Sequence, residues 1–201
     1  MIIPVFPSLI HLFGVDDYSS VKDDLIKFVY KEKRKDSKGI SISNIGGWQS
    51  NKDDYSSYEN PLSSVIGNSI SKYFAENKIF NSNVNLLMDS MWININSRIS
   101  DYNLKHSHGG CDLAGCFYIK TPKDCGEIEF ISPNEYTQRK ELKFCNNDFK
   151  DSLKFHTAWK IPPQEGTLLI FPSSLYHHVV ENRNNGDRIS ASFNMQISVG
   201  L

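Results

Sequence analysis

Three of the six histidines in this chain stand where they can converge on a single metal ion. One residue separates His106 from His108, and residues two apart on a strand project from the same face, roughly 6.5–7 Å apart along the chain. The segment "LYHHVV" offers a third ligand, but only one of His177 and His178 can face inward because neighbours on a strand point to opposite faces. The spacing predicts a metal site with ligands from two strands, and it identifies neither the metal nor a reaction.

A structural zinc site is the competing interpretation of this region. Its ligands would be His106, His108, Cys111 and Cys116, which lie close together in the sequence. The pattern lacks the tight Cys-x-x-Cys pair of most structural zinc sites. The four cysteines are also few and irregularly spaced, unlike the framework of a disulfide-rich secreted domain. We expect reduced thiols, and a zinc-stabilised interaction domain is the alternative function of this cluster.

Composition limits the classes of partner. The chain carries 22 Lys and Arg against 23 Asp and Glu, a formal net charge of -1, which provides no global attraction to nucleic acid or to an anionic membrane. No apolar run approaches the roughly 20 residues of a membrane-spanning helix, and the opening "MIIPVFPSLIHLF" lacks the basic start of a signal peptide. We expect a soluble, cytoplasmic protein without membrane or nucleic-acid partners. Its length favours one domain, residues 1–201.

Two amphipathic helices are predicted before the histidine-rich region. In "SSVKDDLIKFVYKEKRK" the apolar residues form one stripe, with Ser19 or Ser20 as the N-terminal cap. Asn60 can cap the second helix, and Pro61 can open it because the first helical position needs no backbone N–H. Both helices lie in the N-terminal part of the chain.

From about residue 84 onward the hydrophobic period changes from helical to alternating, which is typical of strands. The predicted strands lie at residues 84–97, 113–120, 126–131, 152–161, 166–171, 175–181 and 187–198. Two polar, turn-rich stretches, residues 46–60 and 132–151, are predicted to be loops. Several strands after two helices indicate a mainly β, α+β fold: an antiparallel sandwich or jelly roll with the helices packed on one sheet.

The run "FPSSLYHHVV" followed by "DRISASFN" resembles the C-terminal signature of iron(II)- and 2-oxoglutarate-dependent oxygenases. More narrowly, nearly the whole chain resembles a family of 2-oxoglutarate oxygenases from marine bacteria and their phages. The segments "VFPSLIHLF", "GGWQS", "HSHGGCDLAGCFYIKTP" and "GEIEFISP" are similar to that family's opening, its Gly-Trp-His-Ser segment, its HxHPxxxxSGVYYxxxP core and its GxLxFxDP turn. The resemblance implies a double-stranded β-helix that uses Fe(II), 2-oxoglutarate and O2 and releases succinate and CO2.

The resemblance also implies roles for individual residues. It places the third metal ligand at His177, the histidine after the FPSxLx run, and leaves His178 as its neighbour. It makes Arg188 the partner of the distal carboxylate of 2-oxoglutarate, because a guanidinium matches a carboxylate with two parallel hydrogen bonds. Ser190, two residues later on the same strand face, can bond the same carboxylate, and Tyr118 can place its hydroxyl near the cofactor.

The metal ligands depart from the commonest pattern in these oxygenases, in which two histidines and a carboxylate bind the iron and the first two ligands read His-x-Asp. This chain has His-Ser-His, so His108 stands where the carboxylate would be. The resemblance favours a site of His106, His108 and His177. Two alternatives stay open: Asp112 supplies a carboxylate from the adjoining loop, or His108 is the first ligand and the carboxylate position is vacant.

Three further residues are candidates for the substrate pocket. Asn94 and Asn96 are polar positions in the otherwise apolar "WININ" and point the same way, and Trp48 in the Gly-Gly-Trp loop is a candidate lid. The alternative explanations are exposure on an edge strand for the two asparagines and simple anchoring of the loop for Trp48. We expect hydroxylation of a small molecule or a peptidyl side chain, with a metal-binding jelly roll that lacks oxygenase activity as the alternative. A homodimer stays open because twofold dimers are the commonest assemblies.

Overall fold

A computed structural model describes residues 6–51, 60–134 and 144–200 of the chain. The helices within these ranges are α1 (Tyr18–Lys35), α2 (Pro61–Glu76) and α3 (Asn147–Leu153). The strands are β1 (His11–Gly14), β2 (Asn44–Ile45), β3 (Trp48–Gln49), β4 (Val84–Asn96), β5 (Tyr102–His106), β6 (Leu113–Lys120), β7 (Ile128–Ile131), β8 (Ala158–Ile161), β9 (Thr167–Pro172), β10 (His177–Val179) and β11 (Arg188–Val199). No helix in these ranges is both long and apolar enough to cross a membrane.

The strands form two antiparallel sheets. One has six strands in the order β1-β9-β6-β11-β4-β3, and the other has five in the order β2-β5-β10-β7-β8. From β4 to β11 the chain changes sheet at every connection except the one between β7 and β8, which pair with each other. This alternation is the double-stranded β-helix, a form of jelly roll. The predicted mainly β fold is confirmed.

The larger apolar core lies between the two long helices and the six-stranded sheet. Each helix contributes one buried stripe, which includes Leu25 and Val29 from α1 and Ile66 and Ile70 from α2. The side chains that meet these stripes come from the middle strands of the sheet: Met91, Ile93, Ile95, Phe117, Ile119, Leu168, Ile170, Ile189, Ala191 and Phe193. Burial of these stripes holds the helices on one face of the sheet and leaves its other face for the site.

The two helices begin differently from each other. Asn60 caps α2 as predicted, since its side-chain oxygen accepts a hydrogen bond of 3.0 Å from the Ser63 N–H, and Pro61 is the first helical residue. The prediction that Ser19 or Ser20 caps α1 was wrong. That helix begins at Tyr18, and the Ser20 hydroxyl donates to a backbone carbonyl of the preceding turn instead.

β11 carries the polar wall of the interior. Its odd-numbered residues from Ile189 to Met195 face the helices and belong to the apolar core. Because side chains alternate along a strand, the even-numbered residues project between the two sheets, and they are polar: Arg188, Ser190, Ser192 and Asn194. A smaller apolar cluster fills the rest of that space, with Tyr118 and Cys116 from β6, Phe130 from β7 and Phe171 from β9 among its members.

Some predicted boundaries were wrong. The predicted strand 152–161 begins only at Ala158, because α3 occupies Asn147–Leu153 and is capped by Asn146, whose side chain accepts a 2.8 Å hydrogen bond from the Asp148 N–H. β5 and the short strands β1, β2 and β3 were not predicted as strands. Of the two predicted loops, residues 52–59 and 135–143 lie outside the described residues, while the described remainder includes β3 and α3.

Candidate metal centre

Three histidines converge between the two sheets. His106 ends β5 and His177 begins β10, and the two residues are direct partners in the antiparallel pairing of these strands. Their ring centroids lie 4.5 Å apart, and the ring of His108 lies 5.2 Å from each. One ring nitrogen from each histidine lies within 4.8 Å of the other two, a separation that lets one metal ion reach all three. Among the residues that the structure describes, no other group of three or more His, Cys, Asp or Glu side chains is arranged in this way.

His106 and His177 are oriented by the backbone. The Nδ1 nitrogen of His106 lies 2.6 Å from the carbonyl oxygen of Leu104, and that of His177 lies 2.9 Å from the carbonyl oxygen of Leu175. Because a carbonyl oxygen only accepts, each Nδ1 must carry the proton. The lone pair of each Nε2 is therefore free for a metal, and such carbonyl contacts are the usual support of metal-binding histidines.

His108 is held by side chains because it lies beyond the end of β5, so the prediction that it shares a strand face with His106 was wrong. Its Nδ1 donates to Oδ1 of Asn194 at 2.7 Å, and Nδ2 of Asn194 donates to the Ser90 hydroxyl at 3.1 Å. Trp92 stacks beside the imidazole, with ring centroids 5.8 Å apart. The chain Ser90–Asn194–His108 thus fixes the orientation of the third imidazole.

Asn194 was not among the residues predicted from the sequence, although it stands in the segment "SFN". Its position has a local cause: the pairing of β11 with β4 shifts register between Asn194 and Met195. A bulge of this kind changes where neighbouring side chains point and is common beside functional sites. The sequence did contain a signal for Asn194. It is the fourth polar residue of the alternating run Arg-Ile-Ser-Ala-Ser-Phe-Asn, and strand alternation places it on the same inward face as Arg188.

The "FPS" motif fixes the loop that carries His108. The backbone N–H of His108 donates to the carbonyl oxygen of Ser173 at 2.8 Å, and the N–H of Ser173 donates to that of Asp112 at 3.1 Å. Phe171 of the same motif packs against the His177 ring, with centroids 4.8 Å apart. The motif therefore positions two of the three histidines without itself offering a ligand.

The structure does not bring the alternative ligands to the cluster. Oδ2 of Asp112 accepts a 2.7 Å hydrogen bond from the Ile197 N–H and is absent from the group that can hold a metal. The zinc interpretation needs Cys111 and Cys116, and neither belongs to that group. Burial raises the pKa of both thiols. Both cysteines are free thiols in the structure.

The adjacent histidines of "LYHHVV" point to opposite sides of β10. His177 is buried at the cluster, whereas His178 turns outward and its Nε2 lies 2.9 Å from Oε2 of Glu129 on β7. The pKa of His177 is lowered to about 3, mainly by burial; the bond to Leu175 opposes this change, and the imidazoles of His106, His108 and His178 contribute to it. His177 is therefore neutral at ordinary pH, as a metal ligand must be.

Arg188 is a buried cation that lacks a carboxylate partner among the described residues. It is 2% exposed, its Nη1 donates to the Ser190 hydroxyl at 3.2 Å, and its Nε has no hydrogen-bond partner there. The Tyr118 ring lies 5.2 Å from the guanidinium carbon, and the Tyr118 hydroxyl likewise has no partner in the described part of the chain. Burial raises the pKa of that hydroxyl, so it stays protonated and can donate.

These unpaired donors fit the end of a carboxylate ligand. A buried guanidinium without a counter-ion is costly, and leaving a buried donor unbonded costs about 1–3 kcal/mol. A carboxylate supplies acceptor lone pairs for both the Arg188 guanidinium and the Tyr118 hydroxyl. The three histidines line the same pocket as Arg188 and Ser190, so one space joins the metal-binding nitrogens to these donors. A small dicarboxylate that also binds the metal fits this arrangement.

The two asparagines of "WININ" have separate positions. Asn94 lines the pocket, where its Nδ2 donates to the Ser192 hydroxyl at 3.1 Å and its Oδ1 has no partner among the described residues. Asn96 is buried outside the pocket, and its carbonyl oxygen accepts a 3.2 Å hydrogen bond from Asn182. The edge-strand explanation was wrong for both, because β4 lies between β11 and β3 and both side chains are buried.

Trp48 lies outside the pocket. Its ring belongs to the core beneath the helices, and its indole N–H donates to the carbonyl oxygen of Asp36 at 2.8 Å. This geometry is that of a loop anchor, the alternative explanation of the residue. The structure therefore brings together His106, His108, His177, Arg188, Ser190, Tyr118 and Asn94, and it leaves Asn96 and Trp48 apart.

Comparison with solved structures shows the same fold in several proteins. A prolyl-4-hydroxylase from Pseudomonas putida matches with a TM-score of 0.63 and 10% identity, over 94% of this chain and 92% of that one. The carbocyclase SnoK from nogalamycin biosynthesis gives 0.66 and 10%, over 96% and 82%. HygX from Streptomyces hygroscopicus, solved with nickel and 2-oxoglutarate bound, gives 0.60 and 12%, over 94% and 83%. At these identities the likeness shows the fold alone.

The family assignment rests on sequence. No curated protein sequence matches the chain. The family model described as "Putative 2OG-Fe(II) oxygenase" matches residues 90–194, which is just over half of the chain and contains all three histidines, Arg188 and Asn194. The family uses Fe(II), 2-oxoglutarate and O2; the converging imidazoles suit the metal, and Arg188, which lacks a carboxylate partner among the described residues, suits the cofactor. The chain therefore belongs to the 2OG-Fe(II) oxygenase family.

Proposed function

We propose that this protein is a hydroxylase that binds Fe(II) through His106, His108 and His177 and oxidises a small-molecule or peptidyl substrate at the expense of 2-oxoglutarate. The observation that carries the proposal is the shared pocket. Three imidazoles that can converge on one metal ion, and one buried guanidinium without a carboxylate partner among the described residues, line the same space between the sheets. A metal site alone does not require the guanidinium, and a structural arginine does not require the histidines.

The protein's own groups have two binding tasks, one for the metal and one for the cofactor. The three histidines hold the metal on one side, which leaves positions for the cofactor and oxygen. Arg188 receives the distal carboxylate of 2-oxoglutarate with help from the hydroxyls of Ser190 and Tyr118. Both hydroxyls are buried, so they bind the carboxylate in a site from which water is largely excluded.

The bound metal and cofactor supply the oxidising chemistry, with 2-oxoglutarate converted to succinate and CO2 as O2 is consumed. The protein orients these groups and keeps water away from the oxidant. Trp92 and Phe171, which stand beside the histidines, contribute apolar surface to the pocket. Asn94 offers hydrogen bonds to whatever is bound there, because its Oδ1 is unpaired among the described residues.

Hydroxylation is the outcome that requires least of the protein, since it needs only one substrate C–H bond held beside the metal. The fold by itself does not choose the reaction: the structural neighbours include a prolyl-4-hydroxylase, an epimerase and a carbocyclase. Those other oxidations require further groups of the substrate to be positioned for the later steps. The proposal for this chain is therefore hydroxylation, on a substrate small enough or extended enough to reach the pocket.

The test is the Fe(II)-dependent formation of succinate from 2-oxoglutarate by the purified protein, in matched His177→Ala and His178→Ala variants. The proposal predicts turnover in the wild type and the His178→Ala variant and loss of turnover in the His177→Ala variant. The two residues are adjacent, but only His177 faces the cluster. Full activity in the His177→Ala variant would overturn the ligand assignment, and a wild type without turnover or 2-oxoglutarate binding would leave a metal-binding jelly roll.

A further inference from the structure

The pocket contains a buried hydrogen-bond acceptor whose donor does not come from the described residues. Asn94 is 6% exposed and lines the pocket together with the three histidines and Arg188. Its Nδ2 donates to the Ser192 hydroxyl at 3.1 Å, which fixes the carboxamide and places Oδ1 on its other side. No residue that the structure describes donates to this Oδ1. Because a buried oxygen without a donor is unfavourable, a bound molecule that supplies one is favoured.

Strand pairing places Asn94 between the candidate metal centre and the groups proposed for the cofactor. On β4 it lies two residues after Trp92, whose ring stacks beside His108. It is also the direct partner of Ser190 on β11. Directly paired residues of an antiparallel sheet project from the same face, with Cβ atoms about 4.5–5.5 Å apart. A molecule that bonds to Asn94 is therefore held beside both the metal and the cofactor.

The cofactor itself cannot satisfy this oxygen. The buried groups without partners differ in kind: Nε of Arg188 and the hydroxyl of Tyr118 are donors, whereas Oδ1 of Asn94 is an acceptor. Ionised 2-oxoglutarate has carboxylate and keto oxygens, which only accept hydrogen bonds, and it has no N–H or O–H group. It suits the two donors and leaves Oδ1 of Asn94 for another molecule.

We propose, on the basis of the proposed function, that the substrate carries an N–H or O–H group that donates to Oδ1 of Asn94 and so holds the substrate beside the metal. A site built to bond such a group discriminates strongly against an analogue that lacks it, because the polar group of the site is then left unpaired. The half-buried Trp92 ring, on the same face of β4, offers apolar surface to the carbon chain next to the donor.

The experiment compares small neutral probes that differ in one donor. The first pair is N-methylacetamide with methyl acetate, and the second is 2-butanol with 2-butanone. Within each pair the two molecules have nearly the same shape, and only the first has an N–H or O–H group. Each probe is titrated into protein loaded with Co(II) and saturated with 2-oxoglutarate, and its NMR signals are followed. The unpaired electrons of Co(II) shift and broaden the signals of a probe bound near the metal, with the Zn(II)-loaded protein as the diamagnetic reference.

We expect the donor of at least one pair to bind at least about threefold more tightly than its partner, the effect of one hydrogen bond between neutral groups. The pair that shows the preference identifies the substrate donor as an amide or as a hydroxyl. In an Asn94→Leu variant, which keeps the approximate shape of the side chain but has no acceptor, the preference should disappear.

Gln49→Leu is the matched control. Gln49 is the direct partner of Asn94 on β3 and is also buried, and its Oε1 likewise has no donor among the described residues. It lies outside the pocket, so this variant should keep the preference.

Equal affinities within both pairs in the wild type, or a preference that survives in the Asn94→Leu variant, would overturn the proposal. A loss of 2-oxoglutarate affinity of tenfold or more in that variant would also overturn it, since Asn94 would then serve the cofactor. If the Asn94→Leu protein does not fold, the wild-type comparison decides alone. A wild type that binds neither Co(II) nor 2-oxoglutarate would instead reject the proposed function, and the proposal with it.

Discussion

His106 and His177 lie directly opposite each other on β5 and β10, with ring centroids 4.5 Å apart. The register of one antiparallel strand pair therefore sets the distance between two of the three candidate ligands. A slip of one residue would turn the side chains of one strand to the other face and separate the rings. The packing of Phe130, the partner of His177 on β7, supports this register from the opposite side.

Asn194 is predicted to hold the third imidazole in place for the metal. In an Asn194→Leu variant the Nδ1 of His108 loses its acceptor, so metal affinity should fall by about 10–100-fold, the usual effect of removing such a supporting group. An Asn194→Asp variant keeps an acceptor at the same position and should retain metal. Equilibrium titration with Co(II) gives the affinity, and Ser192→Ala, on the same face of β11, is the control. Equal affinities in the Leu variant and the control would contradict the role.

Arg188 is predicted to bind the cofactor and not the metal. Replacement by Lys keeps a positive charge but loses the planar pair of N–H groups, so 2-oxoglutarate affinity should fall at least about tenfold, given about 1.5–3 kcal/mol for a hydrogen bond to a charged group. Metal affinity should be unchanged. Calorimetric titration of the metal-loaded protein measures both quantities, with Arg183→Lys, an exposed arginine near the same strand, for comparison. Unaltered 2-oxoglutarate binding in the Arg188→Lys variant would contradict the prediction that Arg188 binds the cofactor.

Asp112 is predicted to be dispensable for metal binding. Its carboxylate accepts the Ile197 N–H, and the amide oxygen introduced by an Asp112→Asn substitution can accept the same hydrogen bond, so this variant should preserve both fold and metal stoichiometry. Metal content after gel filtration checks the prediction. Loss of the metal from a folded Asp112→Asn protein would show that the carboxylate is a ligand after all.

Trp48 is predicted to anchor its loop without touching the substrate. Trp48→Phe retains an aromatic ring in the core but removes the N–H that donates to Asp36, which should lower the free energy of unfolding by about 1 kcal/mol. Urea unfolding measures the change, and succinate formation per bound metal should stay at the wild-type value. A large loss of turnover at unchanged stability would favour the lid role.

Much of the fold was predictable because hydrophobic period and capping signals are local. β4 and β6 have nearly the predicted bounds, and α2 begins where Asn60 and Pro61 indicate. β5 was missed because "YNLKH" is short and its alternation does not follow burial: Asn103 is buried whereas Leu104 is exposed. Its strand form comes from pairing with β2 and β10. Tertiary pairing of this kind leaves little trace in a single segment.

The candidate site, too, was predictable from the sequence only in part. The inward direction of one histidine in "LYHHVV" follows from strand alternation, and the resemblance pointed to His177. The position of His108 could not be deduced, since it depends on a hydrogen bond to Asn194, 86 residues later, and on the bulge in β11. The burial of Arg188 without a carboxylate partner also needed the structure, because it depends on which strands surround β11.

The most direct test of the account is an anaerobic titration of the purified protein with Fe(II) and then with 2-oxoglutarate, followed by visible absorption. Chelation of the keto acid by Fe(II) produces a metal-to-ligand charge-transfer band. We expect the band to develop in the wild type only when Fe(II) and 2-oxoglutarate are both present, and to be lost in the His177→Ala variant, with the His178→Ala variant as the control. Binding of Fe(II) without the band, or a full band in the His177→Ala variant, would contradict it.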